Sequence, residues 1–307
     1  MKLVLGLKTD PVEYRYSYEW LFRLMAEEDV HEAQLGSFFE VYQLPDSWFL
    51  ELRETAERCG VRIASTFTAH RELGGFFRCD PRWEDVARRN FERAIQVGAL
   101  LGVRSVGSNP GAVLRDDMSA KAEGTACYLR AMRGLMHRAY QVGVACLGIE
   151  PMSCLAEPPT LPEEISSMCD ELLAYHRAHP DETCTVGSCT DVSHGYADRD
   201  ERVVYDNMQL LEAALPYTTE IHLKNTDALF NSTFGFTAAE RERGIVDIAR
   251  VRDMLVENAE RLPVDTLTGY LEIGGPKTGR DYSDWRLEEQ LRESLRWCKA
   301  HFEMETT

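Results

Sequence analysis

Between residues 145 and 274 the chain repeats one pattern four times: ACLGIEPM (145–152), CTVGSCTDV (184–192), TEIHLKN (219–225) and GYLEIG (269–274). Each is a short apolar run carrying an acidic or imidazole side chain near its end: Glu150, Asp191, His222 and Glu272, with His194 just past the second. Short apolar runs bounded by turn residues read as buried strands. Working outward, LVLGLKT (3–9), HEAQLGSF (31–38), VRIASTFTA (61–69) and RSVGSN (104–109) read the same way. Amphipathic segments near 17–28, 46–59, 81–99, 117–142, 163–178, 201–214, 247–260 and 284–300 alternate with them. Strict strand–helix alternation predicts a parallel sheet, and eight repeats predict its closure. The expected fold is α/β: a (β/α)8 TIM barrel, one domain over residues 1–307.

Local signals agree. Asp46 precedes a helical pattern that ends at Gly60, a residue suited to a helix C-terminus. Pro81 suits a first helical turn, and Glu163 and Glu164 place negative charge at the positive end of the fifth helix. The connection after the seventh strand, about 223–246, is long for a strand-to-helix loop. Such loops shape specificity or act as lids. TAHRELGGFFRCDPRW (68–83) is a shorter lid candidate, with Gly74 and Gly75 for freedom and Phe76 and Phe77 for apolar surface.

Composition narrows the function classes. A hydrophobic fraction of 44% is ordinary for a globular core. The charge of −17, from 51 acidic and 34 basic residues, opposes nonspecific nucleic-acid binding, which needs cationic surface. The 9 cysteines form no CxxC pair and read as reduced, mostly buried thiols. The apolar run in MKLVLGLKTDP is too short for a signal peptide, and no stretch approaches a membrane span. A cytoplasmic protein with no membrane partner is expected.

In a barrel of this kind the C-terminal strand ends form the active face. A carboxylate buried there, as Glu150 and Glu272 would be, has to be paired or bound. Each has a bland alternative: a salt bridge for the glutamates, a helix cap for Asp191, a surface position for His194. A lone strand histidine such as His222 is more often structural than a ligand. The ordered set over four successive strands is more specific than any pair. Two glutamates, an aspartate and a histidine suit one divalent ion: manganese, magnesium, cobalt or zinc.

The segments GIEPM, DVSH, HLKN and LEIGG resemble those of the xylose-isomerase-like superfamily, most closely its ketose 3-epimerase and sugar-phosphate epimerase branch. GIVDI (244–248) resembles the Gly-x-Val-Asp segment that follows the strand-seven loop in that family. The resemblance implies metal ligation by Glu150, Asp191, His222 and Glu272, with His194 on substrate. It implies Glu150 and Glu272 as the acid/base pair of a metal-dependent epimerase of a ketose or ketose phosphate. It also implies a small-molecule sugar ligand and a homodimer or homotetramer. The arginine that free-sugar 3-epimerases carry after the strand-seven histidine is missing from LKNTDAL. The glutamate they place some six residues after the strand-five glutamate falls near Ala156, with Glu157 adjacent. HLKNTD looks more like the pattern of sugar-phosphate members. Lys224 and Asn225 are then substrate contacts, with Arg241, Arg243 or Lys277 near a phosphate, and His70 and Asn109 lining the pocket. A tetrulose 4-phosphate is one substrate that fits this set.

The chemistry accounts for the residue types. A metal that chelates a ketone and a neighbouring hydroxyl stabilises the cis-enediolate left by proton removal. One glutamate removes the proton and the other returns one on the opposite face. Return to the adjacent carbon would make an aldose–ketose isomerase, and expulsion of a hydroxyl a dehydratase. An abasic-site endonuclease on this barrel needs further histidines where Asn109 stands and beyond His222, where only His301 remains. A glycosidase needs no Asp-x-x-His beside its acid pair. A noncatalytic sugar-binding protein is the alternative outside enzymes.

Overall fold

All eight sequence-read strands form, each within a few residues of its expected bounds. The computed structural model describes residues 1–12, 15–36, 39–69, 75–274 and 285–305. The strands are β1 (Lys2–Lys8), β2 (Glu32–Gly36), β3 (Arg62–Thr68), β4 (Ser105–Ser108), β5 (Cys146–Ile149) and β6 (Thr185–Asp191). A hairpin of β7 (Tyr196–Ala197) and β8 (Val203–Tyr205) follows, then β9 (Thr218–Leu223), β10 (Thr266–Leu271) and the short β11 (Met304–Glu305). The large sheet runs β10-β9-β6-β5-β4-β3-β2-β1, and β10 pairs back to β1 in parallel. The sheet is therefore a closed (β/α)8 barrel, with β11 added antiparallel to β1.

The α-helices are α1 (Tyr18–Glu27), α2 (Phe39–Gln43), α3 (Asp46–Arg58), α4 (Pro81–Leu101), α5 (Lys121–Val142) and α6 (Pro162–Ala178). After them come α7 (Asn207–Ala214), α8 (Ala238–Arg243), α9 (Ile248–Glu257) and α10 (Leu287–Phe302). Three differ from expectation, the first being the short α2, which no expected segment covers. The helix expected over 201–214 starts only at Asn207, because Asp206 caps it and Gln209 returns the bond to the Asp206 amide. The β-branched pair Val203-Val204 ahead of it takes strand conformation instead. The long connection beyond β9 holds a helix of its own, α8, started by the Thr237–Glu240 capping box. No helix among the described residues is long and apolar enough to cross a membrane.

Two compact units make up the chain: residues 1–36, 51–63 and 190–307, and residues 37–50 and 64–189. In the first, Leu3, Leu5, Leu7, Ile221, Leu223, Leu267 and Leu271 are buried on alternate positions of β1, β9 and β10. Gly269 has no side chain because the Phe302 ring of α10 lies there, 2.6 Å from where a Cβ would stand. In the second, Asp80 caps α4, Pro81 opens it and Gly102, at φ +71°, ends it. Phe77 stacks on Tyr128 of α5. Beside that stack Cys79 and Cys127 form a disulfide, with Cα atoms 5.8 Å apart. This corrects the expectation of reduced thiols throughout: the partners stand 48 residues apart, and only the docking of the 75–80 segment on α5 brings them together.

The first and last helices are clamped by charge. Glu28, at the end of α1, accepts from Arg292 (2.7 Å) and Arg296 (2.7 Å), and Lys299 reaches Asp29 (2.5 Å). Burial works against the Glu28 charge, but Arg296 and Arg292 outweigh it and hold the carboxyl below its ordinary value. A lowered carboxyl contributes stability above the unfolded value, about pH 4.3, and loses it as pH falls through the folded value. Glu28→Gln is expected to cost about 1–2 kcal/mol in urea unfolding at pH 7. The gap to wild type should close under acid conditions. A gap that persists at about pH 2.5 would mean that packing, not charge, makes the contribution.

Candidate metal centre

Strand alternation builds one polar face from residues up to 264 positions apart in sequence. Lys8 lies opposite Gln34 in the β1–β2 register, and His222 opposite Tyr270 in the β9–β10 register. Glu220 and His222 leave β9 on one side, and Lys224, just beyond the strand, continues the every-second-position spacing. Gly6 makes room for Tyr270, whose ring would lie 2.6 Å from any Cβ at that position. Glu272 is the first residue past β10.

These residues converge on the carboxylate of Glu272. Its Oε1 accepts from Lys8 Nζ at 2.8 Å; its Oε2 lies 3.1 Å from His222 Nδ1 and 3.5 Å from Lys224 Nζ. Asp191, the last residue of β6, is held by the Ser193 amide and hydroxyl on Oδ1, both at 2.8 Å. That leaves its Oδ2 facing Lys224 Nζ (2.5 Å) and His194 Nε2 (3.5 Å). Lys8 also reaches Asp10 Oδ2 at 3.1 Å. Asp10 needs the glycine at position 36, since a Cβ there would stand 1.7 Å from its Oδ1. At the end of β5, Glu150 is buried and accepts from the Asn109 amide.

Electrostatics separates the carboxyls. Burial raises Glu272, but Lys224, Lys8 and His222 together outweigh it and hold it well below the ordinary range. Burial also raises Asp191, and His194 and Lys224 bring it down to a net lowering. At Asp10 burial wins over Lys8, with Glu272 adding repulsion, and the carboxyl is raised.

Glu150, Asp191, His222 and Glu272 each offer one ligand atom, and all four atoms lie within 4.8 Å of one another. The residues fit a divalent ion. Asp191 Oδ2 and Glu272 Oε2 are buried, lie 2.5 and 3.5 Å from the Lys224 ammonium and make no hydrogen bond of good geometry, so both oxygens can turn to a cation. Three oxygens and one imidazole nitrogen form a hard-to-borderline donor set. A second convergence, Cys79, Glu84 and Cys127, has its two sulfurs joined in the disulfide.

Other expected site residues have contacts of their own. Asn225 is an internal staple: its Oδ1 accepts from the amides of Thr226 (3.0 Å) and Val246 (3.1 Å), tying the two ends of the long loop together. Its backbone also bridges Phe234. Arg241 donates to the Phe236 carbonyl and stacks on Trp297 of α10, 3.9 Å from the ring centre. Arg243 stacks on Phe234 at 4.2 Å. Each guanidinium thus lies on an aromatic face, and Arg241 also approaches the Glu293 carboxylate at 3.6 Å. His70 and Lys277 lie outside the described residues. Lys8, Asp10, Gln34 and Glu220 were not foreseen. The period-two run Glu220, His222, Lys224 was the one signal that could have found Glu220.

No family model matches the chain, and no curated protein sequence matches it. Solved structures do. A candidate xylose isomerase from Rhodospirillum rubrum superposes with a TM-score of 0.78 at 18% identity, over 98% of this chain and 99% of that one. D-Psicose 3-epimerase with D-tagatose, from Clostridium cellulolyticum, gives 0.67 at 12% identity, over 99% and 100%. The 3-keto-D-glucoside 4-epimerase of E. coli gives 0.64 at 12% identity, over 97% and 100%. The chain therefore shares the (β/α)8 fold of these three proteins. At these identities the likeness is one of fold, and the site has to carry any functional argument.

The Asn225 staple makes a local prediction. A Cβ at position 244 would stand 2.2 Å from the Asn225 side chain. Gly244→Ala should therefore loosen the 225–246 loop, costing about 1–3 kcal/mol. It should also open a protease-sensitive site within that loop while the barrel keeps its circular dichroism. Unchanged proteolysis would show that the loop is held by other contacts.

Proposed function

We propose that this protein is a metal-dependent epimerase of a ketose or ketose phosphate, acting at C3 through a cis-enediolate. The observation that carries the reading is the convergence of Glu150, Asp191, His222 and Glu272 at strand ends of a barrel. The neighbours above include one 3-epimerase and one 4-epimerase by name, which supports carbon-centred proton transfer in this fold.

Glu150, Asp191, His222 and Glu272 would hold one divalent ion. When bound, it would act as a Lewis acid toward the ketone and the neighbouring hydroxyl of the substrate. The chain's own groups do the rest. Lys8 fixes Glu272 Oε1, so Oε2 is the oxygen presented toward His222. Ser193 does the same for Asp191, presenting Oδ2. Held well below the ordinary carboxyl range, Glu272 stays ionised near neutral pH, the form a general base requires. Glu150 is the second carboxyl, oriented by Asn109. On this reading one glutamate takes the C3 proton and the other returns one from the opposite face. His194 donates to the developing oxyanion. Lys224, whose Nζ is 2.5 Å from Asp191, would be the cation that meets a substrate oxygen. With Arg241 and Arg243 stacked on aromatic rings, a phosphate such as that of a tetrulose 4-phosphate would rely on Lys224 and on Lys277.

The test is solvent-deuterium exchange followed by NMR on ketoses and ketose phosphates, with manganese or with EDTA. Metal-dependent deuterium at C3 together with the C3 epimer is the expected result. Glu150→Gln and Glu272→Gln should each lower turnover by about a hundredfold or more. Label at C1 or C2 with aldose formation would replace the epimerase by an isomerase. Loss of a hydroxyl would replace it by a dehydratase. Tight sugar binding without exchange would leave a binding protein.

A further inference from the structure

Behind His222 lies a buried polar chain that touches no proposed ligand atom. His222 Nε2 is 2.8 Å from Gln34 Oε1, and Gln34 Nε2 donates to Glu220 Oε2 at 3.2 Å. His222 and Gln34 are fully buried and Glu220 is 7% exposed, so bulk water does not mediate among them. His222 and Glu220 lie two apart on β9, and Gln34 comes from β2. The opposite ring nitrogen, Nδ1, faces Glu272 Oε2 at 3.1 Å.

The two ring nitrogens therefore have different surroundings. Gln34 can present either end of its amide to the ring. A carboxylate only accepts, so Glu220 draws the NH2 end toward itself and leaves Oε1 for His222. An oxygen at 2.8 Å requires a proton on Nε2. Nδ1 faces the Glu272 carboxylate at 3.1 Å, and an ion that binds there takes the Nδ1 lone pair in place of that contact, while the proton on Nε2 stays.

We propose that Glu220 is a positioning residue: acting through the Gln34 amide, it holds the His222 proton on Nε2 and leaves Nδ1 as the nitrogen for a divalent ion. This rests on the metal reading above and adds two residues to it. Glu220→Gln keeps size and shape but removes the acceptor-only character. Gln34 can then turn, offer its NH2 to Nε2 and drive the ring proton onto Nδ1, where it blocks ligation. Exchanging the two residues restores the order. In the double variant Glu220→Gln with Gln34→Glu, the residue at 34 is the carboxylate, accepting from Nε2–H and from the amide at 220.

Zinc titration by calorimetry and long-range 1H–15N correlation of His222 test this together. Expected are a proton on Nε2 in wild type and a 10–100-fold weaker zinc affinity in E220Q, about the size reported for partners of metal-bound histidines. E220Q should also lose the single-site Nε2 proton, and the exchanged double variant should recover both. Circular dichroism and melting temperature identify the folded variants. Glu220→Leu, which removes the acceptor altogether, should show the same two losses if E220Q folds poorly. Wild-type affinity in folded E220Q, or no recovery in a folded double variant, would overturn the proposal. If wild type binds no divalent ion, the metal reading falls, and the NMR still decides the Glu220–Gln34 arrangement. An unprotonated Nε2 in wild type overturns it.

Discussion

Burying the Glu272 carboxylate is the constraint around which this half of the molecule is arranged. An ionised carboxyl taken out of water needs strong compensation. Here it comes from Lys8 of β1, Lys224 just beyond β9 and His222 within β9. Three strands that meet only when the barrel closes between β1 and β10 are thus linked by charge as well as by backbone pairing. Removing one partner from such a cluster leaves charge uncompensated, which makes it cooperative. The same cluster fixes which oxygen of each carboxylate is left available, since Lys8 takes one from Glu272 and Ser193 takes one from Asp191.

Glycines mark where this arrangement is tightest. Gly36 gives Asp10 its place, and Gly6 gives Tyr270 room beneath His222. Gly195, next to His194, lies flat under the Phe230 ring, which would be 2.2 Å from a Cβ there. Phe230 itself has a φ of +59°, in a turn where the Asp227 side chain accepts from the amides of Leu229 and Asn231. The long loop is thus a folded piece with a stapled base at Asn225 and a capped tip at Asp227. It is built to hold an aromatic ring against the residue beside His194.

The strand pattern was legible because buried parallel strands are written as apolar runs, and an apolar run survives reading without a partner. The four candidate ligands were legible for a related reason. Glu150, Asp191, His222 and Glu272 each interrupt or end such a run, where polar side chains have few structural uses. Lys8 and Gln34 sit on strands too, yet LGLKTD and EAQLGS give no hint which neighbour they meet. Their meaning comes from the β1–β2 and β1–β10 registers, which are contacts between distant segments. Arg241 and Arg243 have contacts that the local sequence does not announce. Charge near the expected phosphate region drew attention to them, but Trp297 and Phe234 hold them, and a cation–aromatic contact across 56 residues has no local signature. The Cys79–Cys127 bond was hidden in the same way.

Charge balance carries the argument about the ion furthest. Asp191 and Glu272 are held ionised by their surroundings, whereas Asp10 is pushed toward its neutral form. Lys8 and Lys224 offset those two ionised carboxylates. A divalent ion held by these residues and Glu150 would then bring more positive charge than the site needs at rest. That surplus matches the negative charge that appears on a ketose when a carbon-bound proton is removed. A site neutralised completely in its ground state would have nothing left to offer the charge that develops later, and catalysis depends on that difference.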